Sequence, residues 1–169
     1  MGSSKLSDQP TLARRILDWV PAALSVVMIA LESTATMSAA NTSHWLYPFW
    51  VKLFGPLSTA RWEEIHHLIR KTGHFMGYGV VSLAFFYSWR QTLKHTAIRD
   101  WTLSRRASAL AVVCTLVVAS LDEYHQSFLP SRTSSIFDVG IDVCGAIVFQ
   151  LLLLMTMQVF SRRPGLRTV

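Results

Sequence analysis

Charged residues are scarce in this sequence: they make up 15% of its 169 residues, against roughly 25% in a typical soluble domain. Cysteine is also rare, and the two cysteines, Cys114 and Cys144, exclude a disulfide-rich secreted module. The H-E-x-x-H, nucleophile-elbow and P-loop motifs are absent, so no motif assigns a reaction class. With 51% hydrophobic residues, the chain is too apolar for a disordered protein. A single, strongly apolar domain remains.

The apolar residues are concentrated in four uncharged stretches, at residues 19–31, 72–89, 107–121 and 143–161. A bilayer span needs about 20 mostly apolar residues, which the last stretch nearly supplies and the others reach by including polar residues. The pattern therefore predicts an all-α integral membrane bundle of four transmembrane helices. We expect helices over residues 16–36, from about 71 to 90, over 106–129 and over 135–160, within one membrane domain at 16–160.

The net charge of +6 would also suit a nucleic-acid-binding protein, so the positions of the basic residues are informative. Eleven of the 16 Lys and Arg lie in three segments: the N-terminus at 1–15, the loop at 90–106 and the tail at 161–169. Four spans place these segments on one side of the membrane, and their positive charge identifies that side as the cytoplasm. We expect cytoplasmic N and C termini, an inner loop at 90–106, an outer segment at 37–70, and no nucleic-acid partner.

The first span has a second interpretation. Arg14 and Arg15, the apolar run at 20–31 and the Ser-Ala-Ala sequence at 38–40 also fit a secretory signal with its cleavage site. The distribution of basic residues fits better when the first span is retained. In the outer segment, residues 44–50 fit an aromatic belt at the membrane interface, and residues 61–70 fit an interfacial amphipathic turn that leads into helix two.

Ionisable and polar side chains within the predicted helices concentrate near their outer ends. Because a charge inside a membrane is costly, such residues are usually paired, directed to the bundle interior and functional. Helical spacing places those of helix two on one face and gives each of helices three and four a polar face. They predict a polar cavity in the outer leaflet above an apolar floor. Its predicted members are Glu32, Lys71, His74, Tyr78, Asp122, Glu123, His125, Gln126, Arg132, Asp138 and Asp142.

The same residues carry a resemblance to a known family. The run DEYHQSFLPSR at residues 122–132, followed by Ser135, Asp138 and Gly145, resembles the signature of the VanZ-like family of small bacterial membrane proteins. The sequence K-x-x-H-x-x-x-Y at residues 71–78 resembles the family's second-helix motif. The resemblance covers about residues 71–150. Two positions depart from the pattern: Asp142 stands where the family usually has Asn, and Ser131 where Gly is common.

The resemblance implies a multi-pass protein of the bacterial inner (cytoplasmic) membrane. The founding member of the family is linked to teicoplanin resistance, and the family has no settled biochemical activity. Membrane lipids, a lipid-linked cell-wall intermediate or a lipoglycopeptide are therefore the expected partners.

The charges of the predicted cavity do not balance. Four carboxylates of helices three and four face two fixed cations, Lys71 and Arg132. In a low-dielectric setting, the excess negative charge must be balanced by protonated carboxyls, charged histidines or a bound cation.

One hypothesis is an enzyme that acts on a lipid or a lipid-linked cell-envelope substrate. His125 would be the general base or nucleophile, oriented by Asp122 or Asp138, because neutral imidazole suits proton transfer near neutral pH. Lys71 and Arg132 would bind a phosphate or carboxylate group of the substrate. Glu123 and His74 are also assigned catalytic roles. Gln126, Tyr78 and Asp142 are assigned to substrate binding.

The alternatives are a non-catalytic protein that binds a lipid, an antibiotic or a partner, and a proton-coupled transporter. The transporter is disfavoured because nothing ionisable continues through the inner leaflet. No cofactor is expected. A minority alternative is a divalent cation bound by members of the set His74, His125, Glu123, Asp138 and Asp142.

Overall fold

The computed structural model describes residues 11–95, 99–130 and 134–161, and these residues form helices without any strand. The predicted all-α class is therefore confirmed. The helices are α1 (Leu12–Glu32), a short 3-10 turn η1 (Ala35–Met37), α2 (Ala39–Phe54), α3 (Thr59–Leu93), α4 (Asp100–Gln126) and α5 (Ile136–Ser161).

Contacts near the ends of α1 and α4 show how these helices run relative to α3. The Trp19 indole, early in α1, donates a hydrogen bond to the Thr92 hydroxyl late in α3 (3.1 Å). Arg90, also late in α3, pairs with Asp100 at the start of α4 (2.7 Å). Both α1 and α4 are therefore antiparallel to α3.

The contacts between α3 and α5 advance together along both chains. Lys71 pairs with Asp138, and about three turns later the Gln150 amide donates to the carbonyl of Ser82 (2.9 Å). These two helices therefore run parallel. Helix α3 is the central element, since it packs against α1, α4 and α5.

Small side chains allow α4 to approach its neighbours closely. Its buried face carries alanine, serine and threonine at helical spacing, with Ala107, Ala111, Thr115 and Ala119 fully buried. Small residues are typical of helix interfaces in membranes, where close backbone packing replaces the hydrophobic effect. The resulting core also includes Tyr78 and large apolar side chains of α3.

Helices α4 and α5 have the length and the hydropathy of membrane-spanning helices, with mean hydropathies of 1.5 and 2.1. In the described part of the chain these two alone meet that criterion, so the predicted four spans are not confirmed. Large apolar side chains are nevertheless exposed along α1 as well as α4 and α5, which is typical of surfaces that contact lipid or another protein. Examples are Leu24, Met28, Val113, Val117, Leu151 and Met155.

The outer segment differs from the expectation of an aromatic belt followed by an amphipathic turn. It contains the complete helix α2, which begins where Ser38 Oγ accepts from the backbone N–H of Asn41 (3.4 Å) and ends at Gly55, with φ +88°. Residues 61–70 belong to α3, whose 35 residues extend over about 52 Å. The Trp62 indole donates to the Ser43 hydroxyl (2.7 Å), so α2 lies against the first turns of α3.

The other predicted boundaries shift by a few residues. Helix α1 ends at Glu32 rather than 36, α4 covers Asp100–Gln126 rather than 106–129, and only residues 94–99 connect α3 to α4. The predicted inner loop at 90–106 is therefore mostly helical, since α3 continues to Leu93 and α4 begins at Asp100. The termini at 1–10 and 162–169 lie outside the described residues.

Candidate functional site

Asp122, near the end of α4, is the centre of a hydrogen-bond network that joins three helices. Its carboxylate accepts from the Tyr78 hydroxyl of α3 (2.9 Å) and from the Gln126 amide one turn later on α4 (2.8 Å). The hydroxyl of Ser33, the residue after α1, also donates to it. Asp122 is 8% exposed, and all three of its donors are neutral.

A second set of polar contacts joins α3 to α5. The imidazole Nδ1 of His74 lies 3.3 Å from Oδ1 of Asp142, which is completely buried. The His74 side chain is 23% exposed and stacks on Tyr78, with 6.3 Å between ring centroids and 11° between planes. One turn earlier, Lys71 forms an ion pair with Asp138. The Asp142 carboxylate thus lies beside Nδ1 of His74, and Nε2 is the imidazole nitrogen on the opposite side of the ring.

The His74–Asp142 contact lies within ion-pair distance, but it lacks the geometry of a hydrogen bond. Among the described residues, both carboxylate oxygens of Asp142 are buried without a hydrogen-bond partner. The contact between Asp142 and His74 is therefore electrostatic rather than a hydrogen bond.

Glu123 ties the end of α4 to the start of α5. Its Oε2 accepts from the backbone N–H of Ser135 (2.8 Å), and its backbone carbonyl accepts from the Ser134 hydroxyl (2.9 Å). The side chain is buried, and Oε1 has no hydrogen-bond partner in the described part of the chain. These contacts give Glu123 a role in fixing the connection between the two helices.

A cavity of about 380 Å³ lies between α1, η1, α2, α3 and α4. Its polar side is formed by Ser33, His74, Tyr78, Asp122 and Gln126. The remainder of its lining combines apolar, charged and small residues: Ile29, Glu32, Met37, Thr42, Trp45, Arg70, Gly73 and Gly77. The cavity therefore pairs a hydrogen-bonding side with an apolar wall.

Glycines keep one wall of the cavity open. Gly73 and Gly77 stand one turn apart on α3, and a Cβ atom built at either would meet no atom within 4 Å. Larger side chains at these two positions would therefore extend into the cavity without displacing the backbone.

The structure divides the predicted site residues into three groups. Tyr78, Asp122, Gln126 and His74 line the cavity, together with Glu32. Lys71, Asp138, Asp142 and Glu123 form contacts outside its lining. His125 is apart from both groups, and Arg132 lies outside the described residues.

The prediction that Asp122 or Asp138 orients His125 does not match the geometry. His125 is exposed, whereas Asp122 and Gln126 are buried; in the described residues Asp122 bonds to Ser33, Tyr78 and Gln126 instead. Successive residues of a helix are rotated by about 100°. The buried face of α4 spans Asp122, Gln126 and Glu123, and His125 falls about 60° beyond its edge.

Several cavity residues were missed by reasoning from the sequence, among them Ser33, Arg70 and Trp45. Arg70 has a signal: with Gly73, His74, Gly77 and Tyr78 it follows the i, i+3, i+4, i+7, i+8 pattern of one helix face. Ser33 and Trp45 have none, because their positions depend on how the end of α1 and helix α2 return to α3.

A metal site was the minority alternative for the acidic cluster. In the described residues, no group of three or more His, Cys, Asp or Glu side chains is placed to hold a metal ion.

Comparison with protein families gives a match over most of the chain. The profile of the VanZ/LLP1 family matches residues 11–158, which include α1 to α4 and most of α5. Comparisons with curated proteins and with solved structures gave no significant match. Together with the two strongly apolar helices, the match over residues 11–158 shows that the chain is a membrane protein that belongs to the VanZ/LLP1 family.

Proposed function

We propose that the protein binds the headgroup of an amphiphilic molecule, a membrane lipid or a lipid-linked cell-envelope intermediate, in the cavity between its helices. The cavity of about 380 Å³ carries this proposal, because ligand sites are commonly concave and largely apolar with a few convergent polar groups. Here those groups are contributed by α3, by α4 and by Ser33, the residue after α1, around Asp122.

An apolar stripe on α2 supports an amphiphilic ligand rather than a fully polar one. Trp45, Phe49 and Leu53 follow one another at i, i+4 and i+8, and each is more than half exposed. Trp45 also lines the cavity, so the stripe begins at its rim. A helix with such a stripe suits the membrane interface, where acyl chains would lie against the stripe while the headgroup occupies the cavity.

The proposal includes four spans in the bacterial cytoplasmic membrane, with the cavity facing outward. The antiparallel arrangement of α1, α3 and α4, together with the exposed apolar side chains of α1, supports this topology. The basic residues in 1–15, 90–106 and 161–169 support cytoplasmic termini.

A cavity-filling substitution tests the proposal directly. Gly77→Val places a side chain in the cavity where a Cβ atom meets nothing within 4 Å, so the fold should be preserved while ligand is excluded. We expect native mass spectrometry of the purified protein to show retained lipid for the wild type and a loss of that lipid in the variant.

Gly140→Val is the matched control, because Gly140 also has open space around it but lies on α5 outside the cavity. It should retain lipid as the wild type does. Equal lipid retention in Gly77→Val and Gly140→Val would contradict the proposed binding site.

Catalysis is a second candidate function, and the His74–Asp142 contact favours it. A histidine that lines a cavity while a buried carboxylate faces its Nδ1 has the arrangement of a general base. This assigns to His74 the role that the sequence suggested for His125. A reaction on a cell-envelope lipid would also connect the protein to glycopeptide (teicoplanin-type) resistance.

Resistance measurements with three variants test this candidate. If the protein is an enzyme, His74→Gln and Asp142→Ala should abolish teicoplanin resistance in cells that express it, whereas His125→Gln should leave resistance unchanged. Expression of each variant is checked in membranes. Full resistance in His74→Gln would exclude a catalytic role for this histidine.

A further inference from the structure

The structure places a basic side chain beside two of the four carboxylates in the acidic cluster. Asp138 is paired with Lys71, and Asp142 faces His74. Asp122 differs, because its three donors are neutral and, in the described residues, no Lys, Arg or His lies within 4.0 Å of its oxygens. A buried carboxylate is costly unless a cation or a proton compensates its charge, and within the described residues no cation pairs with Asp122.

The cavity can accommodate a ligand with both a positive and a negative group, because its lining contains one side chain suited to each. Asp122 and Arg70 both line it. Arg70 donates one hydrogen bond, from Nη1 to the carbonyl of Met37 (3.2 Å), and its guanidinium has four further N–H donors. The lining therefore presents an anionic acceptor and a cationic donor to the same bound molecule.

We infer that the bound headgroup is a zwitterion, an ammonium-bearing phosphate ester whose ammonium contacts Asp122 and whose phosphate contacts Arg70. This inference rests on the proposed function and specifies its ligand. A bare cation would compensate Asp122 but would leave Arg70 and most of the cavity of about 380 Å³ unused. A purely anionic headgroup would use Arg70 but would place a second negative charge near Asp122.

Phosphatidylethanolamine and phosphatidylglycerol with identical acyl chains separate these cases, since both carry a phosphate and only the first carries an ammonium. Delipidated protein in detergent is titrated with each lipid and analysed by native mass spectrometry. We expect phosphatidylethanolamine to bind about tenfold more tightly, as a charge-assisted contact to a buried carboxylate implies. Equal affinities, or tighter binding of phosphatidylglycerol, would overturn the inference.

Two substitutions assign the two contacts. Asp122→Asn should abolish the preference for phosphatidylethanolamine, whereas Asp100→Asn, at the opposite end of α4, should keep it. Arg70→Gln should weaken both lipids by a similar factor because they share the phosphate. A preference for phosphatidylethanolamine that persists in folded Asp122→Asn would overturn the inference. If this variant fails to fold, the comparison of the two lipids on the wild-type protein decides whether the inference holds.

A soluble competitor identifies the source of the headgroup. Free phosphoethanolamine that displaces the lipid at comparable concentration would indicate a soluble ligand of this chemistry, and the absence of competition would indicate a lipid. A different result would contradict the proposed function itself: if neither lipid binds, the cavity is not a lipid site. If both lipids bind equally and Gly77→Val excludes both, only the zwitterion inference is wrong.

Discussion

At the scale of single residues, Asp122 shows how much of the site depends on its surroundings. The sequence predicts a buried acid from its position in an apolar helix. It does not indicate that Ser33 and Tyr78, 89 and 44 residues away in the chain, donate to that acid. Side-chain partners of this kind depend on helix packing, which no local pattern contains.

Tyr78→Phe tests the contribution of one donor to Asp122. The variant removes only a hydroxyl, but it leaves a buried carboxylate with one fewer hydrogen bond, so we expect a loss of about 1–3 kcal/mol in the free energy of unfolding. Tyr87→Phe, on the same helix with Tyr87 45% exposed, should change stability little. Thermal unfolding in detergent measures both; equal midpoints would show that the hydroxyl contributes nothing.

His66 provides a pH-dependent contact outside the predicted span at 72–89. Its Nε2 lies 3.1 Å from the Thr42 hydroxyl of α2, and burial, with help from the positive charges of Arg70 and His67, lowers its pKa below the ordinary 6.5. Because the folded state has the lower pKa, it binds fewer protons than the unfolded state in this range. The contribution of His66 to stability is therefore complete above pH 6.5 and decreases as the pH falls.

Hydrogen exchange in α2, corrected for the intrinsic pH dependence, measures this effect. We expect less protection of α2 at about one pH unit below 6.5 than at about one unit above it. His66→Gln should remove most of this difference, and replacement of the exposed His44 by Gln should not. The same pH dependence in His66→Gln as in the wild type would assign it to another group.

At the scale of helices, glycine gives a clear comparison between sequence and structure. The sequence suggests that glycines of helices two and four allow close backbone approach. The structure confirms this for Gly145, which meets the backbone of Phe75; at Gly79 the close neighbour is the ring of Phe149, and Gly73, Gly77 and Gly140 face open space. Spacing cannot separate these cases, because it gives the face of a glycine but not whether a neighbour or a cavity lies there.

Gly145→Ala tests the close approach of α3 and α5. A Cβ atom at Gly145 would overlap the carbonyl oxygen of Phe75, so the helices must separate. We expect a loss of about 1–3 kcal/mol in stability, as for other overpacked sites. Gly140→Ala, with nothing within 4 Å, should be neutral or slightly stabilising because alanine favours helix. Unfolding midpoints that do not differ between the two variants would contradict this packing.

At the scale of the whole molecule, the membrane topology is the main open prediction. Helices α4 and α5 are apolar enough to span a bilayer by themselves, whereas α1 and α3 do not meet the same criterion. For α3 the reason lies within the predicted span at 72–89, which has no charged residue but includes His74, two tyrosines, three glycines and two serines that lower its mean hydropathy.

Reporter fusions test the four-span topology. Green fluorescent protein fused to either terminus should fluoresce, because both termini are expected in the cytoplasm, where the reporter folds. Alkaline phosphatase inserted after Gly55, between α2 and α3, should be active because that segment is expected outside. A dark fusion at the N-terminus, or its release by cleavage, would favour a signal sequence over a first span.

The sequence by itself determined the helical class and the helices that carry the polar residues, because apolar periodicity and charge position are local properties of the chain. Its motifs at 71–78 and 122–132 indicated the family. Only the tertiary structure decided that α2 is a helix against α3, that His125 is outside the polar network, and that Asp122, Arg70 and His74 share one cavity. These facts depend on how α1, α3 and α4 cross and approach one another. Such packing follows from contacts between residues far apart in the chain, which sequence periodicity does not specify.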